Sequence, residues 1–248
     1  MRLSALWQLA WIEFKLNLRE PEMLFWSIAF PALWMGFFGA IFNELVDYYG
    51  VSLNQANYLL PGGIGIVICA TSFVGMSTTL ATYRDSGVLK RLRVTPLKTS
   101  TLALGFALSQ LIFIALGIIV LFVIGLAAFG VQVLGSWAAL IGVMIFGMVT
   151  LLALGTAIGS IARSPRAATI ITLMIFMPMI FLSEMWMPIS LFPTWLQPIC
   201  QALPLTPLVT LARDIVFGVE LGDLWRFGIM ALWLVLGTLI TLRFFRWE

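Results

Sequence analysis

Long apolar stretches, separated by short polar connections, dominate the pattern of residues along the chain. A helix needs about 20 consecutive apolar residues to cross a bilayer. Six stretches approach or exceed that length, and they cover residues 23–42, 59–82, 101–129, 137–162, 167–182 and 225–242. The pattern predicts an all-α integral membrane protein of six transmembrane helices, with residues 1–248 forming one membrane domain.

The composition leads to the same conclusion. Hydrophobic residues make up 61% of the 248 residues and charged residues only 10%, with a mean hydropathy of +1.05. A soluble domain is nearer to half apolar and a quarter charged. A core of this size cannot hide such an excess of apolar surface, whereas a bilayer accepts it.

Basic residues are distributed unevenly over the connections between the apolar stretches. Twelve of the fourteen lysines and arginines fall on one side of the membrane, and two, Arg213 and Arg226, fall on the other. Cytoplasmic connections carry the excess of lysine and arginine, so both termini are predicted to be cytoplasmic. The net charge of +3 comes from these clusters rather than from one basic face, and no nucleic-acid partner is expected.

Several kinds of chemistry lack the residues that they need. The chain has no histidine, and Cys69 and Cys200 are too far apart for a metal or redox motif. Most metal centres and histidine-assisted nucleophiles are therefore excluded, which argues against an intramembrane enzyme. The phosphate-binding loop is also absent, because none of Lys15, Lys90 and Lys98 follows a glycine. We expect no catalytic residue and no cofactor or metal bound by this chain.

The amino-terminal segment, residues 1–20, has a pattern of its own. Leu3, Trp7, Trp11, Phe14 and Leu18 form one stripe at helical spacing, next to basic residues. Tryptophan beside lysine or arginine is typical of the lipid headgroup region. The pattern predicts an interfacial amphipathic helix that lies along the membrane. Other apolar residues interrupt the stripe, so a helix packed partly against other protein stays open as the alternative.

The connection between the second and third spans, residues 83–98, is too polar to enter the bilayer. Leu89 and Leu92 are three residues apart and share one helical face among basic residues, and Pro96 disfavours helix at the residue before it. A short basic helix with an apolar ridge suits a groove on another protein. A loop held against anionic lipid has the same pattern. From the pattern alone, both interpretations stay open.

Two segments resemble the ABC-2-type permease family, nearest to its drug- and antibiotic-export branch. Asp85, Gly87, Leu89, Leu92 and Thr95-Pro96-Leu97 are similar to the family's cytoplasmic coupling helix, with Lys90 in place of the usual acidic residue. The second resemblance is to the segment between the family's fifth and sixth spans. It rests on Phe181-Leu182-Ser183, Met187-Pro188, Pro193-Thr194-Trp195-Leu196-Gln197-Pro198, Leu203-Pro204-Leu205-Thr206-Pro207 and Ala212-Arg213-Asp214. Together with size and span count, the resemblance covers nearly the whole chain.

The resemblance implies the permease subunit of an ATP-driven exporter in the inner (cytoplasmic) cell membrane. Two such protomers, as a homodimer or a heterodimer, would pair in membrane lipid with two copies of a separate ABC ATPase subunit, which would hold the ATP and Mg. The substrate would be an amphipathic drug-like, lipid-like or glycoconjugate molecule. The alternative is a membrane protein without ATP coupling, either a channel or carrier, which the nearly neutral spans disfavour, or a scaffold.

The resemblance also assigns site residues. The residues expected to couple to the ATPase are Arg84, Asp85, Gly87, Leu89, Lys90, Arg91, Leu92, Arg93, Thr95 and Pro96. Residues 183–220 are expected to form short extracytoplasmic re-entrant helices, in which Glu184, Pro188, Trp195 and Pro204 are candidates for a gate or exit.

Three further expectations come from individual residues. Glu184 stands where the family more usually has a glycine or another small residue, and its carboxylate is expected at the interface with access to solvent. Arg213 and Asp214 are expected to form a local ion pair. Gly155 and Gly159 form a G-x-x-x-G pattern, which allows close helix approach. Packing within one protomer is favoured over a dimer contact for these two glycines.

Overall fold

The structure is a computed structural model, and it describes residues 3–42, 44–88, 99–220 and 224–244. Its helices are α1 (Leu3–Asn17), α2 (Pro21–Ile41), α3 (Gln55–Asp85), α4 (Thr99–Phe129), α5 (Trp137–Ile161), α6 (Pro165–Leu182), α7 (Gln197–Ala202), α8 (Leu205–Phe217) and α9 (Leu224–Phe244). Two strands, β1 (Leu45–Tyr48) and β2 (Val51–Asn54), lie between α2 and α3. A single 3₁₀ turn, Ile189–Leu191, precedes α7.

In the described part of the chain, six helices are long and apolar enough to cross a membrane: α2, α3, α4, α5, α6 and α9. They correspond in order to the six predicted spans, with ends that differ by a few residues, so that prediction is confirmed. The span α3 is completely buried within the bundle, whereas the other five are partly exposed. The fold is therefore a set of helices packed around α3.

Two of the spans contain a short π-helical turn, at Phe25–Ala29 in α2 and at Thr71–Gly75 in α3. Pro31 has no N–H to donate to the carbonyl of Ser27. That carbonyl oxygen instead faces α4 at Gly117, 2.8 Å from where a Cβ atom would stand. The π-helical turn and the missing side chain together let α2 and α4 approach closely.

The same kind of contact joins α3 to α5. The carbonyl oxygen of Ser72 lies so close to Gly155 that a Cβ atom there would overlap it. One turn further along α5, a Cβ atom at Gly159 would come within 3.0 Å of the Ser77 carbonyl oxygen. Both glycines thus face another helix of the same chain, as predicted for the G-x-x-x-G pattern.

The hairpin of β1 and β2 was not predicted from the sequence. Its strands pair antiparallel, with Leu45 opposite Asn54 and Tyr48 opposite Val51. Tyr49 and Gly50 form the turn and both have positive φ, 51° and 82°, as a two-residue hairpin turn requires. The Asn54 side chain then caps α3 by accepting from the Asn57 N–H at 3.1 Å, and it donates to the Phe129 carbonyl at 2.7 Å.

The proline-rich segment after α6 forms the predicted short helices. Prolines occupy early positions of α7 and α8, where a missing N–H costs no helical bond. Every residue of α8 is buried, and Gly218 ends this helix in the left-handed conformation with φ 70°. Entry of these helices into the membrane stays a prediction.

The helix α1 packs against α4 through a face that the sequence analysis did not identify. Its buried residues are Ala10, Glu13 and Asn17, whereas Trp7 and Trp11 of the predicted stripe are exposed. The sequence pattern missed this face because two of its three residues are polar. One face of α1 is thus packed against the rest of the protein, as the alternative interpretation expects. The prediction that α1 lies along the membrane surface stays a prediction.

We expect Gly155→Ala to destabilise the protein strongly, because its methyl group would meet the Ser72 carbonyl, which is backbone and cannot rotate away. Overpacking of this kind costs about 1–3 kcal/mol or more. Gly142→Ala is the matched control, since Gly142 lies on the same helix with nothing within 4 Å of its Cβ position. The apparent melting temperature in detergent should fall for the first variant only. An equal effect of both variants would contradict the close α3–α5 contact.

Candidate functional site

Polar side chains gather at the two ends of the bundle. We name these the amino-terminal end, where α1, the end of α3 and the connection between α5 and α6 meet, and the hairpin end, which carries β1 and β2. The charged and hydroxyl groups at each end come from helices that are distant in sequence. The two clusters therefore determine how the spans are held relative to one another.

At the amino-terminal end, the last turn of α3 is bound to α1. The Tyr83 hydroxyl donates to a Glu13 carboxylate oxygen at 2.7 Å. Burial raises the pKa of Glu13 above its ordinary value. The hydrogen bond from Tyr83 lowers this pKa, but by less than burial raises it. Asn17, one turn further along α1, donates to the Ser109 hydroxyl on α4 at 3.4 Å. The helix α1 is thus bonded to both spans that flank the predicted coupling segment.

The next residue, Arg84, is bound to the end of α5. Its guanidinium donates to the Ser160 carbonyl at 3.3 Å and also to the Ala162 carbonyl. The last carbonyls of a helix have no partner within the helix, and a cation at this end also matches the helix dipole. Arg163 and Phe244 line the adjoining cleft, which has a volume of about 550 Å³. Consecutive residues of α3 therefore contact two different helices.

The predicted coupling residues lie only partly within the described structure. Asp85 ends α3. Gly87 has a φ of 71°, and no atom lies within 4 Å of its Cβ position, so its role is a left-handed turn rather than a close approach. The remaining predicted coupling residues, Leu89, Lys90, Arg91, Leu92, Arg93, Thr95 and Pro96, lie outside the described residues.

At the hairpin end, Arg213 of α8 is completely buried. Its guanidinium stacks on the Tyr58 ring of α3, 3.8 Å from the centroid. One terminal nitrogen donates to the Glu184 backbone carbonyl at 2.7 Å, and the other lies 3.5 Å from the Glu184 carboxylate. A buried guanidinium needs such partners to offset the loss of water. Arg213 thus joins α8, α3 and the segment after α6.

Asp214 has partners of its own. It forms an ion pair with Arg226 on α9, and it accepts a hydrogen bond from the Tyr48 hydroxyl of β1 at 2.7 Å. The predicted local pair between Arg213 and Asp214 is therefore wrong. Consecutive residues of a helix point about 100° apart, so the two side chains reach different helices. Burial and the Asp214 carboxylate raise the pKa of Tyr48.

Glu184 has a backbone φ of 58°. This left-handed conformation is the one that glycine adopts at no steric cost. The side chain is 13% exposed and lines the cavity described below, so the expected access to solvent is limited to that cavity. Burial raises the pKa of Glu184, and the guanidiniums of Arg213 and Arg226 act against that rise.

A cavity of about 390 Å³ lies at the hairpin end. Of the four candidate gate residues, Glu184 and Pro188 line it. Trp195 is 70% exposed, and Pro204 caps the start of α8, and neither lines the cavity. A gating role for the four residues stays a prediction. Among the described residues, no group of three or more Cys, Asp and Glu side chains is placed to hold a metal ion.

The sequence analysis missed five residues of these clusters, Glu13, Tyr48, Tyr58, Tyr83 and Arg226. A usable signal was present in the tyrosines, because the whole chain has only four. Three of them are in this group, and the fourth, Tyr49, lines the cavity. A tyrosine hydroxyl in an apolar chain calls for a polar partner, but the sequence does not identify that partner.

Arg213→Met should lower the stability by about 3–5 kcal/mol, because it leaves the buried Glu184 carboxylate without its cation. Adding Glu184→Gln should restore part of the loss by removing the uncompensated charge. Arg163→Met, an exposed arginine at the other end, serves as the control. Melting temperatures of the purified variants measure the three effects. If the double variant is no more stable than Arg213→Met, the ion pair does not explain the burial of Arg213.

Comparison with known proteins identifies relatives of this architecture. The family model of the ABC-2 type transporter matches residues 4–217. The protein "Probable multidrug ABC transporter permease YbhR" from Escherichia coli (strain K12) is 26% identical over 175 residues, which are 70% of this chain and 48% of the relative. The chain thus spans about half the length of that relative.

A second relative is aligned over more of its length. The "Daunorubicin resistance ABC transporter permease protein DrrB1" from Streptomyces coeruleorubidus is 25% identical over 235 residues, 92% of this chain and 78% of the relative. The family match spans most of the chain and includes five of the six candidate membrane-spanning helices. We conclude that the chain belongs to the ABC-2 type transporter family.

Proposed function

We propose that this chain is the membrane subunit of an exporter that a separate ABC ATPase subunit drives. Two copies of the chain, or this chain and a related one, pair with two ATPase subunits in the inner cell membrane. The cargo is an amphipathic drug-like, lipid-like or glycoconjugate molecule. Family membership supports the ATPase partner. Relatives named for multidrug transport and daunorubicin resistance support the class of cargo.

The orientation that we propose has the amino-terminal end in the cytoplasm. The positive-inside rule supports it, because the connections at this end hold nearly all of the lysines and arginines. The hairpin end then faces outward, together with α7, α8 and the cavity. In this orientation residues 84–88 lie on the side of a cytoplasmic ATPase, and the cavity lies on the side where cargo leaves.

The observation that carries the proposal is the pair of contacts made by Tyr83 and Arg84. Residues 86–98 lead from α3 to α4, and Tyr83 ties the end of α3 to α1. Arg84 ties the same turn to the end of α5, and α1 is itself bonded to α4 through Asn17. A displacement of the connection therefore reaches α1, α3, α4 and α5 together. Helices that are packed and hydrogen-bonded in this way can move together as a rigid body.

Leu89→Ala combined with Leu92→Ala should leave the protein inserted in the membrane but reduce the amount of ATPase that co-purifies and abolish export. Truncating apolar anchors of an interface commonly costs about 1 kcal/mol or more each. Arg91→Ala, a charge at the rim, should do much less. Unchanged association and export in the double variant would contradict a coupling role for residues 84–98. ATP hydrolysis by the isolated chain, free of other ATPases, would contradict the function itself.

Tyr83→Phe should separate association from transport. It removes the hydrogen bond between α3 and Glu13 but leaves residues 86–98 intact, so the ATPase should still co-purify in full. Exported cargo per ATP hydrolysed should fall about fivefold or more, in line with the usual size of coupling energies. Tyr58→Phe is the matched control, because the Tyr58 hydroxyl is also buried but has no hydrogen-bond partner among the described residues. An unchanged ratio in Tyr83→Phe would show that the α1 contact carries no movement.

A further inference from the structure

The wall of the cavity at the hairpin end combines aromatic rings, carboxylates, neutral polar side chains and one guanidinium, that of Arg226. Tyr48, Tyr49 and Trp225 contribute aromatic rings, and Asp47 and Glu184 contribute carboxylates. A volume of about 390 Å³ is within the range of sites that hold a small organic molecule. Aromatic faces attract cations through their quadrupole, and carboxylates attract them by charge. The aromatic rings and the carboxylates therefore both favour a cationic ligand.

The charges around the cavity do not balance. Among the described residues, three carboxylates, those of Asp47, Glu184 and Asp214, meet two guanidiniums, those of Arg213 and Arg226. Asp47 accepts from the Gly50 N–H at 3.1 Å and from the Ser52 hydroxyl at 3.5 Å, and the described residues give it no cation. One negative charge is left over, on a side chain that lines the cavity. An anionic ligand would be repelled here.

Glu184 is poorly satisfied for a carboxylate that is so little exposed. Its ion-pair partner Arg213 lies 3.5 Å away, beyond the length of a good charged hydrogen bond, and the Arg226 guanidinium also acts on it electrostatically. No other group among the described residues donates a hydrogen bond to this carboxylate. Buried carboxylates normally have several donors. A protonated amine on a ligand would give the Glu184 carboxylate a hydrogen-bond donor that the described residues do not supply.

The backbone supports the same location. Among the described residues, Tyr49 and Glu184 are the two non-glycine residues with positive φ, and both line this one cavity. The two-residue hairpin turn accounts for the positive φ of Tyr49, and a strained backbone of the kind found at Glu184 recurs at ligand sites. The two conformations place an aromatic ring and a carboxylate at the wall of the same cavity.

We propose that the hairpin-end cavity binds an amphipathic organic cation. Its charge lies between Glu184 and Asp47, and its apolar part stacks against Tyr49 and Trp225. The inference deepens the proposed function, on which it rests, by giving the cargo a charge: the molecule that occupies this cavity on its way out is cationic. A neutral lipid or sugar would leave Asp47 without a cation.

The test uses two probes of nearly equal size and shape but opposite charge, tetraphenylphosphonium and tetraphenylborate. The full-length chain is placed in nanodiscs of zwitterionic phosphatidylcholine, and binding is measured by equilibrium dialysis. After subtraction of the uptake by empty nanodiscs, we expect saturable binding of tetraphenylphosphonium and no saturable binding of tetraphenylborate. Asp47→Asn and Glu184→Gln should each weaken binding of the cation about tenfold. Glu220→Gln, an exposed carboxylate outside the cavity, is the matched control and should bind normally.

Glu184→Gln also leaves Arg213 without its carboxylate, so loss of binding in that variant alone does not support the site. Asp47 is exposed and its replacement does not disturb the buried cluster, which makes Asp47→Asn the deciding variant. Equal binding of both probes, or a cation affinity unchanged in Asp47→Asn, would overturn the inference. Failure of the proposed function gives a different result, since the chain would then bind the cation but co-purify with no ATPase.

Discussion

Apolar helices in a bilayer gain no hydrophobic free energy by contacting one another, because lipid is equally apolar. The central span α3 must therefore be held by close van der Waals contact and by polar bonds. Glycines supply the close contact, as at Gly155 and Gly159 on α5. Hydroxyls supply bonds within the core, where Ser77 of α3 and Thr172 of α6 lie 2.7 Å apart. Each of the other spans packs against α3 or against a helix that contacts α3.

The ends of α3 add a second kind of restraint. Asn54 and Tyr58 fix its beginning to the hairpin and to Arg213, and Tyr83 and Arg84 fix its last turn to α1 and α5. Between these points an 18-residue apolar stretch of the helix is buried inside the bundle and has no face toward lipid. Movement at one end is therefore expected to displace the helix as a unit, and to change the partners of the polar groups at the other end.

The spans were predictable because apolar length alone decides whether a helix can cross a bilayer. The hairpin was not, because each strand has only four residues and owes its place to Tyr48 and Asn54, whose partners are distant in sequence. The buried face of α1 was missed for a related reason, since Glu13 and Asn17 face inward toward polar groups on other helices. In general, the sequence pattern located the membrane-spanning helices but not the pairs of polar side chains that bond them to one another.

The left-handed backbone at Glu184 has an evolutionary consequence. Codons for glutamate and glycine differ by a single base, and glycine accepts a φ of 58° without the roughly 1 kcal/mol of strain that a side chain incurs. One point mutation would relax the backbone, enlarge the space beside Tyr49 and bring the count of opposite charges around it to parity. The same mutation would leave the buried Arg213 without its carboxylate, so position 184 can change at low cost only together with Arg213 or with a new partner for its guanidinium.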